Sequence, residues 1–273
     1  MTRACERDTE CVQTFAAWYE LAGAPAMQAV ELDVMGASTG VSGYTTPAQA
    51  DTLAPALDLR GGMALLDLGA GLGWPGLYLA SKTGCNVVLT DVPVPAMRKA
   101  AQRAAAAGIS RRSACVVASG QAQPFRSRSF DRVVHTDVLC CLRPKLAVLK
   151  TCRRLLRPGG RMAFYTIFVA PGLSPAGRRR AVDAGPPAVA SRLDQGDLLR
   201  AAGFTAMEEA DVTAEYLRIA RAYLEANLRH EAGMRGLEGD VRYEERQRDR
   251  RKGVAAIEAG LLRRSLFVAS VPS

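Results

Sequence analysis

The stretch Leu65–Gly76, LLDLGAGLGWPG, follows an apolar run and leads into LYLA, which reads as a helix. Its glycines fit two patterns at once. Gly71, Gly73 and Gly76 satisfy G-x-G-x-x-G, while Gly69, Gly71 and Gly73, with Asp67 two residues ahead, fit D-x-G-x-G-x-G. Glycines at such spacing establish only that backbone approaches something closely or that a turn is tight. The surroundings of the turn have to decide between the two.

Outward from this turn, short apolar runs alternate with helical ones. MALLDL, NVVLTD, SACVVA, FDRVVHT and RMAFYTIFV read as strands; WPGLYLASKT, VPAMRKAAQRAAAAG and KLAVLKTCRRLL read as helices, the last stopped by RPGG. This β-α-β order predicts an α/β fold with a mostly parallel sheet covered on both faces. Ahead of it, TFAAWYELAG and APAMQAVELDVMG read as helical, ASTGVSGYTT as an irregular loop, and Thr46-Pro47 as the start of a helix with Pro at its first position. Behind it, residues 170–190 are rich in Pro, Gly and Arg and read as a loop or lid segment; DQGDLLRAAGF reads as a helix, TAMEEADVT as a strand, residues 214–250 as one long charged helical region and RSLFVAS as a last strand. One domain over 1–273 is expected, with a helical lid at 1–60, a core at 61–213, and a helical cover with the final strand at 214–273.

Composition narrows the classes. No apolar run reaches the ~18 residues of a membrane span, and the charged start lacks a signal-peptide core, so a soluble, cytoplasmic protein is expected. The seven cysteines lack C-x-x-C spacing, which argues against a disulfide framework or zinc site, and no tight His/Asp/Glu cluster suggests a metal. The net charge of +9 comes mainly from dispersed arginines without interleaved aromatics, so nucleic acid is not the expected partner.

In a dinucleotide reading an acidic residue about 20 positions on should hold a ribose. Asp91 meets that demand but serves any adenosine ligand equally. Asp67 discriminates, because a carboxylate at the end of the first strand repels a pyrophosphate and suits an ammonium group. Pro75 points the same way, withholding a backbone N–H where a phosphate would want one.

Four motifs in order resemble the class I S-adenosylmethionine-dependent methyltransferases: LLDLGAGLG, then VVLTD, then ASGQAQPFRSRSFDRVVHTDVLCCL, then LKTCRRLLRPGGRMAF. The resemblance runs from Leu65 to about Phe204. It implies a Rossmann-like seven-stranded sheet whose last strand is antiparallel, with S-adenosylmethionine as cofactor and S-adenosylhomocysteine as product. By matching motifs, Asp67, Gly69 and Gly71 would surround the methionine part, Asp91 the ribose, Val92 an adenine face, and Gln121 and Ala122 the adenine edge. The family commonly has Asp where Gln121 stands; a Gln amide can still hydrogen-bond adenine.

Methyl transfer from a sulfonium is an in-line displacement that alignment and water exclusion can drive, with a base needed only to relieve a hydroxyl acceptor of its proton. His135, at the end of FDRVVHT, is the candidate base or donor contact, Asp137 its orienting partner or a substrate contact, and Tyr165 a residue reaching the acceptor. Trp18, Tyr19, Tyr44, Thr45 and Thr46 are candidates to close over the donor, with Tyr44 counted among the cofactor contacts. His230 and the run Arg178–Arg180 read as solvated. The expected function is methylation of a small molecule, oxygen favoured as acceptor, since HTDV stands where base-modifying enzymes carry an NPPY-type motif. The rivals are a nicotinamide (NAD) oxidoreductase and a non-catalytic binding domain; a homodimer is left open.

Overall fold

The apolar runs flanking the glycine turn pair as parallel strands, β1 (Ala64–Leu68) and β2 (Asn86–Asp91), in a computed structural model that describes residues 3–40 and 43–272, with side chains from residue 12 onward. β3 (Ser113–Val117), β4 (Phe130–Thr136), β5 (Leu156–Val169), β6 (Ala206–Asp211) and β7 (Leu262–Ser270) complete a seven-stranded sheet of order β3-β2-β1-β4-β5-β7-β6. The first five strands in that order are parallel, and β7 runs antiparallel between β5 and β6. The direction of strand progression reverses between β1 and β4, which opens a crevice at their carboxyl ends, where open α/β sheets place their ligands.

Side chains alternate between the two faces of each strand and so feed two cores. Leu65, Val134, Ala163 and Tyr165 pack with residues of α3 (Pro47–Ala56), α4 (Gly76–Thr83) and α5 (Val94–Ala106). Leu66, Leu68, Val133 and Phe164 pack on the opposite face with α6 (Lys145–Leu155) and α8 (Gln195–Ala202). α3 opens as expected at Thr46-Pro47: Thr46 Oγ1 accepts from Gln49 N (3.2 Å) and Gln49 Oε1 from Thr46 N (3.4 Å), a reciprocal cap.

A cover of helices lies over this frame. α1 (Arg3–Leu21) and α2 (Pro25–Met35) precede α3, and α9 (Thr213–Arg229), α10 (Glu231–Glu238) and α11 (Asp240–Glu258) precede β7. Val30, Val34 and Met35 of α2 meet Ile219, Ala226, Met234 and Tyr243 of the second group, so the two ends of the chain build one layer. No helix among the described residues is long and apolar enough to cross a membrane. Cys85, Cys115, Cys140, Cys141 and Cys152 carry free thiols.

Three expectations are corrected. Residues 170–190 contain a helix, α7 (Pro175–Ala184), begun by Ser174 accepting from Gly177 N at 3.1 Å. The single helical region at 214–250 is three helices, broken at His230 and at Gly239, whose φ of 82° ends α10. β5 begins at Leu156, which pairs with Phe130 before a register shift, so strand pairing starts where a plain stop was read. Residues 41 and 42 of the loop before α3 lie outside the described residues.

Two substitutions test this frame by urea denaturation. Thr46→Ala, which removes the cap of α3, is expected to cost about 1 kcal/mol. Leu66→Ala, at a fully buried strand position, is expected to cost about 2–5 kcal/mol.

Candidate functional site

The glycine turn is held by two acids. Asp67 of β1 is 1% exposed; its Oδ2 accepts from Gly76 N at the start of α4 (2.8 Å), while its Oδ1 is buried without a partner. Burial pushes this carboxyl up to about 7, opposed by the Gly76 bond and reinforced by the negative charge of Asp91. Gly76 is required there because a Cβ would stand 2.6 Å from Asp67 Oδ2. Asp91, ending β2, accepts from Gly71 N (Oδ2, 2.8 Å) and Val92 N (Oδ1, 2.7 Å), and burial raises its pKa. Gly71 has φ +53°, and a Cβ on it would lie 2.8 Å from the hydroxyl of Tyr19, so α1 reaches down onto the turn. Trp74 Nε1 donates to Thr45 O (2.8 Å), tying the turn to the segment before α3.

These residues fit the donor that the resemblance implies. An orphaned, buried carboxylate oxygen is costly and is relieved by a cationic N–H donor. Each oxygen of Asp91 retains a lone pair for a hydroxyl after serving one backbone N–H. Val92 is 37% exposed beside it, open to a flat apolar ring. Gln121 and Ala122 are exposed in the loop after β3; Gln121 is held through its backbone, O accepting from Thr151 Oγ1 at 3.0 Å and N donating to Ser119 Oγ at 3.4 Å. The buried amide of that loop is Gln123, which donates to Thr90 Oγ1 (3.3 Å) and Ser119 O (3.0 Å) and went unnoticed in the sequence.

The three candidate catalytic residues do not assemble. His135 is fully buried on the α6 and α8 face, stacked on Phe164 (4.5 Å between centroids, 25°), which stacks in turn on Phe267. Both its ring nitrogens lack partners and burial pushes its pKa down to about 3, so it is a neutral core ring rather than a base. Tyr165 lies on the opposite face, 1% exposed, its hydroxyl 2.8 Å from Thr52 Oγ1 and donating to Gln49 O at 3.2 Å; it is a packed anchor of α3. Asp137 is engaged by a residue that the sequence reading passed over, Arg264 of β7. Arg264 is 0% exposed and donates from Nε to Asp137 Oδ1 and from Nη2 to Asp137 Oδ2, each at 2.9 Å. It also donates to Gln49 Oε1 (3.0 Å) and Thr45 Oγ1 (2.7 Å) and lies 4.6 Å over the Tyr165 ring. The signal was available: Arg264 shares a strand face with Leu266 and Val268, where an apolar residue is the rule.

Tyr44 sits with Asp137 rather than over the glycine turn. Its N donates to Asp137 Oδ2 (3.4 Å) and its ring meets Tyr216 edge-on at 4.7 Å and Tyr223 at 5.9 Å. Trp18 is capped by the Arg246 guanidinium at 3.6 Å, and Arg246 Nη1 pairs with Glu238 Oε2 at 3.0 Å, fastening α1 to α10 and α11. His230 is not simply solvated: its Nε2 lies 3.0 Å from Asp33 Oδ2 of α2. Arg178, Arg179 and Arg180 are exposed on α7, as expected of a charge run.

Comparison with known proteins accords with this geometry. Residues 66–164 match the methyltransferase domain family. The chain is 33% identical over 174 residues to 27-O-demethylrifamycin SV methyltransferase of Amycolatopsis mediterranei, a match covering 62% of this chain and 63% of that one. The match to methyltransferase GfsG of Streptomyces halstedii covers 41% of each chain at 33% identity, so the shared part spans less than two thirds of these relatives. Among solved structures, phosphoethanolamine N-methyltransferase 2 of Haemonchus contortus, in complex with phosphomonomethylethanolamine and S-adenosylhomocysteine, has a TM-score of 0.76 at 18% identity, covering 91% of this chain and 58% of that one. Geranyl diphosphate C-methyltransferase of Streptomyces coelicolor, with Mg2+, geranyl diphosphate and S-adenosylhomocysteine, has a TM-score of 0.67 at 16% identity over 82% and 77%.

Two measurements check the assignments of His135 and Arg264. Because folding depresses the His135 pKa, the stability it contributes is complete above the ordinary value of 6.5 and is lost as pH falls from there toward about 3. The melting temperature of His135→Phe should therefore gain on that of the unmodified chain as pH is lowered through that window. Arg264→Leu, which strands Asp137, is expected to cost about 3–5 kcal/mol by denaturation, with Asp137→Asn recovering part of the loss in the double variant.

Proposed function

We propose that this chain, a member of the class I S-adenosylmethionine-dependent methyltransferases, transfers a methyl group from S-adenosylmethionine to a hydroxyl of a small molecule by in-line displacement. The observation that carries the donor half is the buried, unpartnered Oδ1 of Asp67 beside a glycine turn tied to Asp91. Bound there, the donor supplies an electrophilic methyl on a positively charged sulfur. Asp67 would hold its ammonium, Asp91 its ribose hydroxyls, Val92 an adenine face, and Gln121 with Ala122 the adenine edge. A nicotinamide dinucleotide suits the site less well, because Asp67 would face its pyrophosphate.

The chain's own contribution to rate is alignment and exclusion of water. Asp137 and Tyr165 are both engaged by Arg264 and His135 lies on the other face of the sheet, which supports alignment over a dedicated base. The acceptor hydroxyl would pass its proton to bulk water as the oxygen–methyl bond forms and the sulfur–methyl bond breaks, S-adenosylhomocysteine being the leaving group, without a dedicated histidine. An oxygen acceptor is supported by the name of the rifamycin relative, whose substrate is 27-O-demethylated.

Calorimetric titration with S-adenosylhomocysteine, beside NAD, tests the donor. The former should bind and the latter should not; the reverse would revive the oxidoreductase reading. Asp67→Asn keeps an acceptor for Gly76 N but removes the charge, and should weaken S-adenosylhomocysteine by about tenfold or more. Unchanged affinity would remove Asp67 from the site.

A further inference from the structure

Beside the glycine turn lies a cavity of about 390 Å³, walled by Trp18 and Tyr19 of α1, Met27 of α2, Leu72 of the turn, Tyr223 of α9 and Met234 of α10. Its size falls within the range of about 300–1,000 Å³ that small-molecule sites occupy. It adjoins the donor region directly, since Tyr19 rests on Gly71 and Leu72 is the next residue.

Two polar atoms of its lining are buried without partners. Asn227 is fully buried; its Nδ2 donates to Tyr223 O (2.8 Å), while its Oδ1 receives nothing. Arg103 donates from Nη2 to Thr39 O (2.6 Å) and Ser38 O (3.3 Å), while its Nε finds no acceptor. Such groups are destabilising until a partner satisfies them. One is an acceptor and the other a donor, a pairing matched by a ligand that carries hydroxyl or carbonyl oxygens.

The lining holds three cations, Lys99, Arg103 and Arg250, and one acid, Glu31, and the cations are opposed or engaged by their neighbours. Arg103 feels the opposing charge of Glu31, and Arg250 that of Glu238. Glu31 is itself fixed at the edge of the turn, accepting from Thr39 Oγ1 (2.6 Å) and Gly40 N. Lys99 is committed to the carbonyls of Glu20 (2.8 Å) and Ala22 (2.6 Å). Inside an apolar wall that also presents Glu31, a phosphate would have to be desolvated, and the cation it would have to reach is Arg250, which donates from Nη1 to Gln247 Oε1 at 3.5 Å.

We propose that this cavity receives the methyl acceptor, and that the acceptor is a neutral, mainly apolar molecule bearing hydroxyl or carbonyl oxygens rather than a phosphorylated one. The inference rests on the methyltransferase reading and names the substrate class for that same site.

The test is calorimetry on the full chain saturated with S-adenosylhomocysteine, using oestradiol as the neutral hydroxylated probe and geranyl diphosphate as the phosphorylated one. Oestradiol should bind and geranyl diphosphate should not. Met27→Trp, which fills the cavity, and Asn227→Leu, which removes the unpartnered oxygen, should each weaken oestradiol about tenfold or more while S-adenosylhomocysteine affinity is retained. Binding of geranyl diphosphate in place of oestradiol, or oestradiol affinity unchanged in both variants, would overturn the proposal. Failure to bind S-adenosylhomocysteine would instead sink the donor assignment, and oestradiol titrated alone against the two variants would still decide whether the cavity takes a neutral ligand.

Discussion

The buried ion pair between Arg264 and Asp137 is the constraint that registers β7, the end of β4 and the start of α3 against one another. Four of the five guanidinium N–H groups are accounted for, two by Asp137, one by Gln49 and one by Thr45, and the plane lies over Tyr165. Desolvating two charges costs several kcal/mol, so the pair is weak evidence for stability as such. What it fixes is registry. Asp137 has a φ of +57° at the end of β4, Gln49 and Thr45 belong to the start of α3, and Arg264 belongs to the antiparallel β7. A slip of β7 by one residue would turn Arg264 onto the other face and leave Asp137 alone.

The same network takes in the acidic and aromatic residues near the ends of β4 and β5, Asp137 and Tyr165. Gln49 extends the connection through Nε2 to Glu215 Oε2 of α9 at 2.8 Å, so the helical cover is registered against the sheet by the same polar core. The glycine turn is thereby left to its own devices: two acids bonded to backbone N–H groups, one of them with an oxygen in reserve.

Much of the fold was legible because parallel strands buried on both sides read as plain apolar runs. FDRVVHT matches β4 residue for residue, and NVVLTD matches β2. The helix at α7 was hidden by composition: Pro175 at a first helical position and Ser174 as cap are helix signals, but the prolines and glycines around them read as loop. For the site, the glycine turn and the two acids that hold it were visible in sequence because their bonds to Gly71 and Gly76 depend on local spacing. His135 was misjudged because strand position tells depth along the crevice, whereas the face is set by alternation, and Val134 and His135 point to opposite cores. Arg264 showed only as a charged residue on an apolar strand face, and its partners, like the cavity, were invisible because they join residues from opposite ends of the chain.

One turn of α1 carries two neighbouring aromatic residues with different duties. Tyr19 rests on Gly71, and Trp18 lies beneath Arg246 and walls the cavity. A shift of the α1 backbone carries both together, so a ligand that displaced this turn at Tyr19 would also reshape the chamber beside it. Linkage requires that whatever factor the first ligand imposes on the affinity for the second is returned unchanged in the opposite direction.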